Sequence, residues 1–256
     1  MPYAELGGLR LYYERAGNGD QELLFVHGWC CDRTAFQPQF EYFARTHAVT
    51  ALDLRGCGLS DRPEAGYTIP DFADDLARFC EEVAIRRPVV VGHSLGGMIA
   101  VELAARHPSV PCGLVLVDPG PIDPLPETVK LFSSLAEQLE GPSGEDVRRL
   151  YVQDMGTRDE ELARWIVDMM CTVSLPIAIA VIRGVTEWNG VGALALCAVP
   201  TLLLRSSMGA SPDVLRLRAI KPDLELGITV GAGHFHQLEV PEQVNAMIER
   251  FLAIAL

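Results

Sequence analysis

Basic residues are scarce in this chain. Lys and Arg total 21 against 34 Asp and Glu, which gives a net charge of −13 over 256 residues. Nucleic acid and anionic membrane surfaces both select for a basic face, so neither is an expected partner. The acidity itself speaks only to solubility and self-repulsion. Long apolar runs are also missing, and none approaches the ~20 residues a bilayer crossing requires. The opening stretch MPYAELGGLRLYYE has neither a basic n-region nor an apolar h-region, so no secretory signal is expected. Cysteine is present seven times, but the number is odd and the spacings form neither a disulfide framework nor a zinc pattern. Free thiols in a cytoplasmic protein are the simplest account. The adjacent Cys30 and Cys31 then read as small apolar residues rather than a redox pair. There is no internal repeat, low-complexity tract, H-E-x-x-H or C-x-x-C. No cofactor and no metal is expected, and the partner is a small-molecule substrate met by a monomer or homodimer.

What remains is an ordinary globular composition, with 49% hydrophobic and 21% charged residues. A chain of this length buries roughly 70–75% of its unfolded surface and needs no covalent staple. Short apolar runs recur at 9–15, 23–26, 48–52, 88–91, 113–117, 199–204 and 224–230. Runs of this length fit strands buried on both faces of a parallel sheet, except the alternating 9–15, which reads as antiparallel. Amphipathic helical patterns lie between them at 35–45, 69–83, 94–107 and 240–256. Alternating units of this kind predict a parallel sheet with helices on both sides. Residues 119–195 break the alternation and show only helical patterns. They are read as a helical cap (a lid) inserted into a core made of 1–118 and 196–256.

The sharpest chemical signal is Gly92-His93-Ser94-Leu95-Gly96. It follows an apolar strand and opens a helix, which is the context a nucleophile on a tight strand-to-helix turn requires. A serine hydroxyl needs a base. His234, in Gly231-Ala232-Gly233-His234-Phe235 between the last strand and the last helix, is the candidate. His236 is a weaker rival. His47 and His107 sit at helix ends, where an imidazole caps carbonyls. An oxyanion needs two preorganised N–H donors. Leu95, just after the serine, supplies one, and Trp29, in the loop His27-Gly28-Trp29 after an early strand, supplies the other. Asp71, Asp74 and Asp75 read as a solvated face at a helix start rather than a metal site.

With these residues in place the sequence resembles the α/β-hydrolase superfamily. His27-Gly28-Trp29, the Asp53–Asp61 stretch, Gly92–Gly97 and Gly233-His234 fall in that family's order, and the likeness covers essentially the whole chain. It implies an eight-stranded, mostly parallel sheet flanked by helices, a helical cap after strand 6, and a Ser–acid–His triad. It also implies a shaping rather than catalytic role for Asp53. The acid departs from the commonest pattern, because the slot after strand 7, near Ser207, holds no carboxylate. Asp118, after strand 6 and 24 residues past Ser94, is one candidate. Asp213, at a helix start, is another, and a chain with no true acid is the third possibility.

The resulting expectation is a serine esterase, lactones included, that passes through an acyl-enzyme on Ser94. Trp29, His93, Phe132, Trp165, Met169 and Phe235 are expected to meet a small or medium hydrophobic substrate. The alternatives kept open are a C–C bond hydrolase or perhydrolase using the same triad, a ligand receptor on a hydrolase scaffold, and a cofactor-independent dioxygenase. For the last, the Gly28-Trp29-Cys30 stretch is similar to that of the bacterial 2,4-dioxygenases of this fold.

Overall fold

The computed structural model describes residues 3–155, 157–208 and 214–256. Eight strands form one sheet: β1 (Tyr3–Glu5), β2 (Arg10–Ala16), β3 (Glu22–Val26), β4 (Ala48–Leu52), β5 (Val89–His93), β6 (Gly113–Val117), β7 (Thr201–Arg205) and β8 (Glu225–Ile228). Their order across the sheet is β1-β2-β4-β3-β5-β6-β7-β8. β2 runs antiparallel to both neighbours, and every other pair is parallel. Strand β1 carries too short a pattern to register in the sequence.

The central strands read as unbroken apolar runs because both of their faces are covered, and β4, β5 and β6 are buried at every position. Side chains still alternate across the sheet. Leu24, Val26, Val90, Leu114 and Leu116 enter one core, while Leu23, Phe25, Val89, Val91, Val115 and Val117 enter the other.

A 3-10 turn (Arg33–Phe36), capped by the Asp32 carboxylate on the Thr34 N–H, leads into α1 (Gln37–Phe43). The sequence pattern predicts a single helix here, but Pro38 in the first turn of α1 divides it. Helix α2 (Ile69–Glu82) starts on a capping box between Thr68 and Asp71. Helix α3 (Leu95–Arg106) follows β5 and is buried from Leu95 to Ala104. It is apolar all round because the sheet, α2 and later helices enclose it.

Between β6 and β7 the chain runs through α4 (Pro126–Glu140), α5 (Gly144–Gln153), α6 (Glu160–Met170), α7 (Leu175–Glu187) and α8 (Gly190–Leu196), with no strand among the described residues. Helices α9 (Val214–Ile220), α10 (His236–Glu239) and α11 (Pro241–Ala255) complete the chain. Phe36, Phe43, Val244, Ile248 and Phe251 cover one face of the sheet, and α2, α3 and the β6–β7 helices contribute to the core on the other. Among the described residues no single helix is long and apolar enough to cross a membrane.

The acidic cluster on α2 is not the solvated face its composition predicts. Asp75 is buried and paired with Arg55 and Arg78. Asp74 binds Arg106 and His107, so His107 meets a carboxylate rather than helix carbonyls. Arg78 is an i,i+3 neighbour on α2 itself, but Arg55, Arg106 and His107 lie on other elements, so local charge counting does not find them.

Candidate active site

Strands β3, β5, β6, β7 and β8 are parallel, so their carboxyl ends share one edge of the sheet, where the connecting loops build a site. Register then decides proximity. His93 pairs with Val117 and Val117 with Leu204, so residues 94, 118 and 205–206 emerge side by side.

Ser94 occupies the turn between β5 and α3 with φ 51° and ψ −114°, a left-handed region that costs a side-chain-bearing residue about 1–3 kcal/mol. Two tethers hold it there. Its N–H donates to Val117 O at 3.0 Å, and its carbonyl accepts from Gly97 and Gly120 N–H, each at 3.0 Å. The flanking glycines are steric requirements. A Cβ at Gly92 would lie 2.2 Å from the Gly96 carbonyl oxygen, and one at Gly96 would lie 2.1 Å from Val26 O. Of the five described non-glycine residues with positive φ, three (Cys30, Ser94 and Asp118) belong to this edge.

The loop after β3 lies directly over the turn. A Cβ at Gly28 would meet His93 Nδ1 at 2.9 Å and Ser94 Cβ at 3.2 Å. His27 shapes this loop from beneath. Its Nε2 accepts the Leu54 N–H at 2.9 Å, so Nδ1 carries the proton and donates to Gly28 O at 2.8 Å. Burial pushes its pKa down and keeps it neutral. The Trp29 and Leu95 amides donate to no described acceptor. The Trp29 side chain acts elsewhere. Its Nε1–H donates to Ala178 O of α7 at 2.9 Å, and its ring packs edge-on against Tyr151 of α5.

His234 sits in a loop whose amides are held from several directions. Val230 N–H donates to the Gln243 side chain at 2.8 Å, Gly231 N–H to Ser207 Oγ at 3.0 Å, and Gly233 N–H to Glu239 Oε1 at 2.9 Å. His234 N–H donates to Met155 O at 3.2 Å, and the His234 carbonyl accepts from His93 Nε2 at 2.9 Å. The rings of His93 and His234 lie 4.7 Å apart.

His234 Nδ1 donates to Asp118 Oδ2 at 2.7 Å, which assigns the proton to Nδ1 and leaves Nε2 bare. Asp118 is 1% exposed. Ser206 holds the same carboxylate from the end of β7, with its N–H on Oδ1 at 3.1 Å and its hydroxyl on Oδ2 at 3.3 Å. Asp213 lies outside the described residues. The Ser94 hydroxyl and His234 Nε2 make no hydrogen bond to a described residue. A loose contact of this kind is common before substrate binds.

Several residues expected to touch substrate pack inward instead. His93 is fully buried between Phe36, His234 and Phe235. Burial drives its pKa well down, and its Nδ1 has no described partner. Phe235 and Met169 are also buried, and Met169 Sδ lies 4.0 Å from Thr34 Oγ1. Phe132 packs part-buried against the core, and Trp165 stands 40% exposed on α6. His236 is buried and bound to Thr229 Oγ1. Cys30 and Cys31 are free, buried thiols whose pKa values burial raises well above the ordinary range, which keeps them protonated.

Two functional neighbours escape the sequence reading: Ser206, which orients a carboxylate from the adjacent strand, and Glu239, which binds the histidine loop. Neither sits in a motif, and only the fold brings them there.

A buried Asp–His pair beside a strained strand-to-helix serine, on the carboxyl edge of this sheet, is an arrangement found in hydrolytic enzymes. The chain belongs to the alpha/beta hydrolase family, whose model matches residues 23–247. It is 26% identical over 260 residues to the 2-(acetamidomethylene)succinate hydrolase of Mesorhizobium japonicum, covering 97% of this chain and 93% of that protein. It is 38% identical over 117 residues to the dihydrolipoyllysine-residue acetyltransferase component of the acetoin cleaving system of Cupriavidus necator; that match covers 46% of this chain and only 31% of the relative's length. A thermophilic esterase of Thermogutta terrifontis, solved with malate bound, superposes with a TM-score of 0.86 at 26% identity, covering 99% of this chain and 97% of that one.

Proposed function

We propose that this hydrolase cleaves carboxylic esters, lactones included, through an acyl-enzyme on Ser94. The observation that carries the reading is the 2.7 Å bond from His234 Nδ1 to the buried Asp118 carboxylate. It orients the imidazole and leaves Nε2 as the base. Ser94 Oγ attacks the carbonyl carbon as Nε2 takes its proton. Asp118 stabilises the resulting imidazolium without taking the proton itself. The developing oxyanion sits between the Trp29 and Leu95 amides, donors that need no reorganisation at the moment of reaction. His234 then returns the proton to the leaving alcohol, and water repeats the sequence on the acyl-enzyme.

The helices between β6 and β7 serve as a cap over this edge, which Ala178 and Met155 already touch through Trp29 and His234. The apolar composition of that segment supports a hydrophobic acyl or aromatic group over a charged one. Kinship with the thermophilic esterase supports the ester class.

The test is a panel of p-nitrophenyl esters of increasing chain length together with simple lactones, run with Ser94→Ala as the blank. Turnover that vanishes in the blank, with covalent labelling of Ser94 by a fluorophosphonate, is the expected result. Oxygen uptake with an aromatic substrate and no labelling of Ser94 would replace this reading with oxygenase chemistry.

A further inference from the structure

We propose that His93 is a positioning residue for His234, setting the distance between nucleophile and base through a hydrogen bond to the His234 carbonyl. This inference rests on the reading of Ser94 as the nucleophile and His234 as the base. Side chains alternate along β5, so His93 follows Val89 and Val91 onto the face that Phe36 covers. There it meets the histidine loop. Its Nε2 lies 2.9 Å from His234 O. A carbonyl oxygen only accepts, so Nε2 carries the proton and donates. His234 is thereby held at both ends, by His93 at its backbone and by Asp118 at its ring. The side chain that grips the base is next in the chain to the serine the base must reach.

A fully buried histidine needs a reason at this position. With the proton on Nε2, Nδ1 is a bare acceptor, and it has no partner among the described residues. It faces Gly28, where a Cβ would lie 2.9 Å away. An unpaired acceptor in the interior is a cost that an apolar side chain of similar size avoids. What the imidazole adds is the donor at His234 O. The two rings lie 4.7 Å apart. Burial, and after it the neighbouring His234, hold the His93 pKa well down. His93 therefore stays neutral beside the imidazolium that forms on His234. It meets the base in two ways, as an anchor for its backbone and as an uncharged neighbour of its ring.

The experiment uses the intact chain and p-nitrophenyl butyrate. His93→Met removes the donor and keeps a side chain of similar length. It should lower kcat by about 10- to 100-fold, the scale of a sub-ångström to 1 Å misplacement of a catalytic group, with KM within about twofold. His93→Gln puts a neutral amide N–H in place of the imidazole one. It should turn over at least about threefold faster than His93→Met, the scale of a single hydrogen bond. Thr68→Ala, which removes a distant helix cap, should lower stability and leave kcat unchanged. Nitrogen-15 spectra of the wild-type protein should show His93 as the neutral tautomer protonated at Nε2. That measurement stands whether or not the variants fold.

Wild-type kcat in His93→Met, or a His93→Gln no faster than His93→Met, would overturn the proposal. A rise in KM alone would make His93 a substrate contact and overturn it too. So would a wild-type His93 protonated at Nδ1. Residual turnover in Ser94→Ala would instead overturn the serine mechanism on which it rests. Loss of turnover in Ser94→Ala together with wild-type kcat in His93→Met would sink the positioning role alone.

Discussion

His234 Nδ1 donates to the Asp118 carboxylate at 2.7 Å across 116 residues of sequence. The bond joins the loop before α10 to the end of β6 rather than to the end of β7. Strand β7 instead contributes Ser206, whose N–H and hydroxyl both bind the same carboxylate. The end of β7 therefore holds a carboxylate that belongs to its neighbour.

Ser94→Ala should lower ester turnover by at least ~10³-fold, the scale on which single members of a triad act. The circular dichroism spectrum should not change, because the hydroxyl makes no hydrogen bond among the described residues. Steady-state kinetics and fluorophosphonate labelling check this, and retained turnover would remove Ser94 from the mechanism.

Asp118→Asn should reduce kcat by ~10²- to 10⁴-fold, since an amide presents the imidazole with the wrong hydrogen-bonding pattern. Ser206→Ala should do less, about the ~1 kcal/mol of one hydrogen bond, seen as a several-fold fall in kcat. If Asp118→Asn turned over like the wild type, a carboxylate elsewhere would be the acid.

Trp29→Phe keeps an aromatic ring against Tyr151 and removes the Nε1–H that binds Ala178 O. The loss of one buried hydrogen bond, with its acceptor left unpaired, should cost about 1–3 kcal/mol. A urea titration measures that loss. The Trp29 amide donor hangs from the same residue, so kcat should fall as well. A variant as stable as the wild type would mean that the indole does not anchor this loop.

Stability should decline as pH falls from about 6.5 towards 4. Burial depresses His236 to about 4, and the His234 imidazole adds to this while Asp118 opposes it. His27 and His93 are depressed by burial in the same direction. In that window the unfolded chain binds protons that the folded chain refuses, so stability rises with pH. Above the ordinary histidine pKa of about 6.5 the stabilisation is fully present. His236 alone accounts for a loss on the order of 3 kcal/mol by pH 4. Urea midpoints taken from pH 7 to 4.5 should show the slope, and His236→Gln should flatten it. An unchanged slope in that variant would show that His236 is not a source of the pH dependence.

Much of the architecture is legible without coordinates. The apolar runs that become β3 to β7 are short and bounded by turn residues, because a strand buried on both faces has no polar side to display, whereas the edge strand β8 carries Glu225 and stays partly exposed. The serine turn is legible for a steric reason: Gly92 and Gly96 stand where a Cβ would strike a carbonyl oxygen. The solvated reading of Asp75 fails because Arg55, twenty residues earlier, reaches it through the fold. His93 reads from the sequence as a packing neighbour of the serine as well as a substrate contact, and it faces inward and holds the His234 carbonyl.

The amino-acid sequence by itself determined the alternation of strands and helices, the family and the serine on its strained turn, because each depends on residues close together in the chain. Tertiary structure alone decided which carboxylate meets His234, which side chains brace that pair, and which aromatic residues turn inward. Those outcomes follow from strand register and from loops packed across the carboxyl edge of the sheet. A contact such as Ser206 to Asp118 spans more than eighty residues, and no local pattern encodes it.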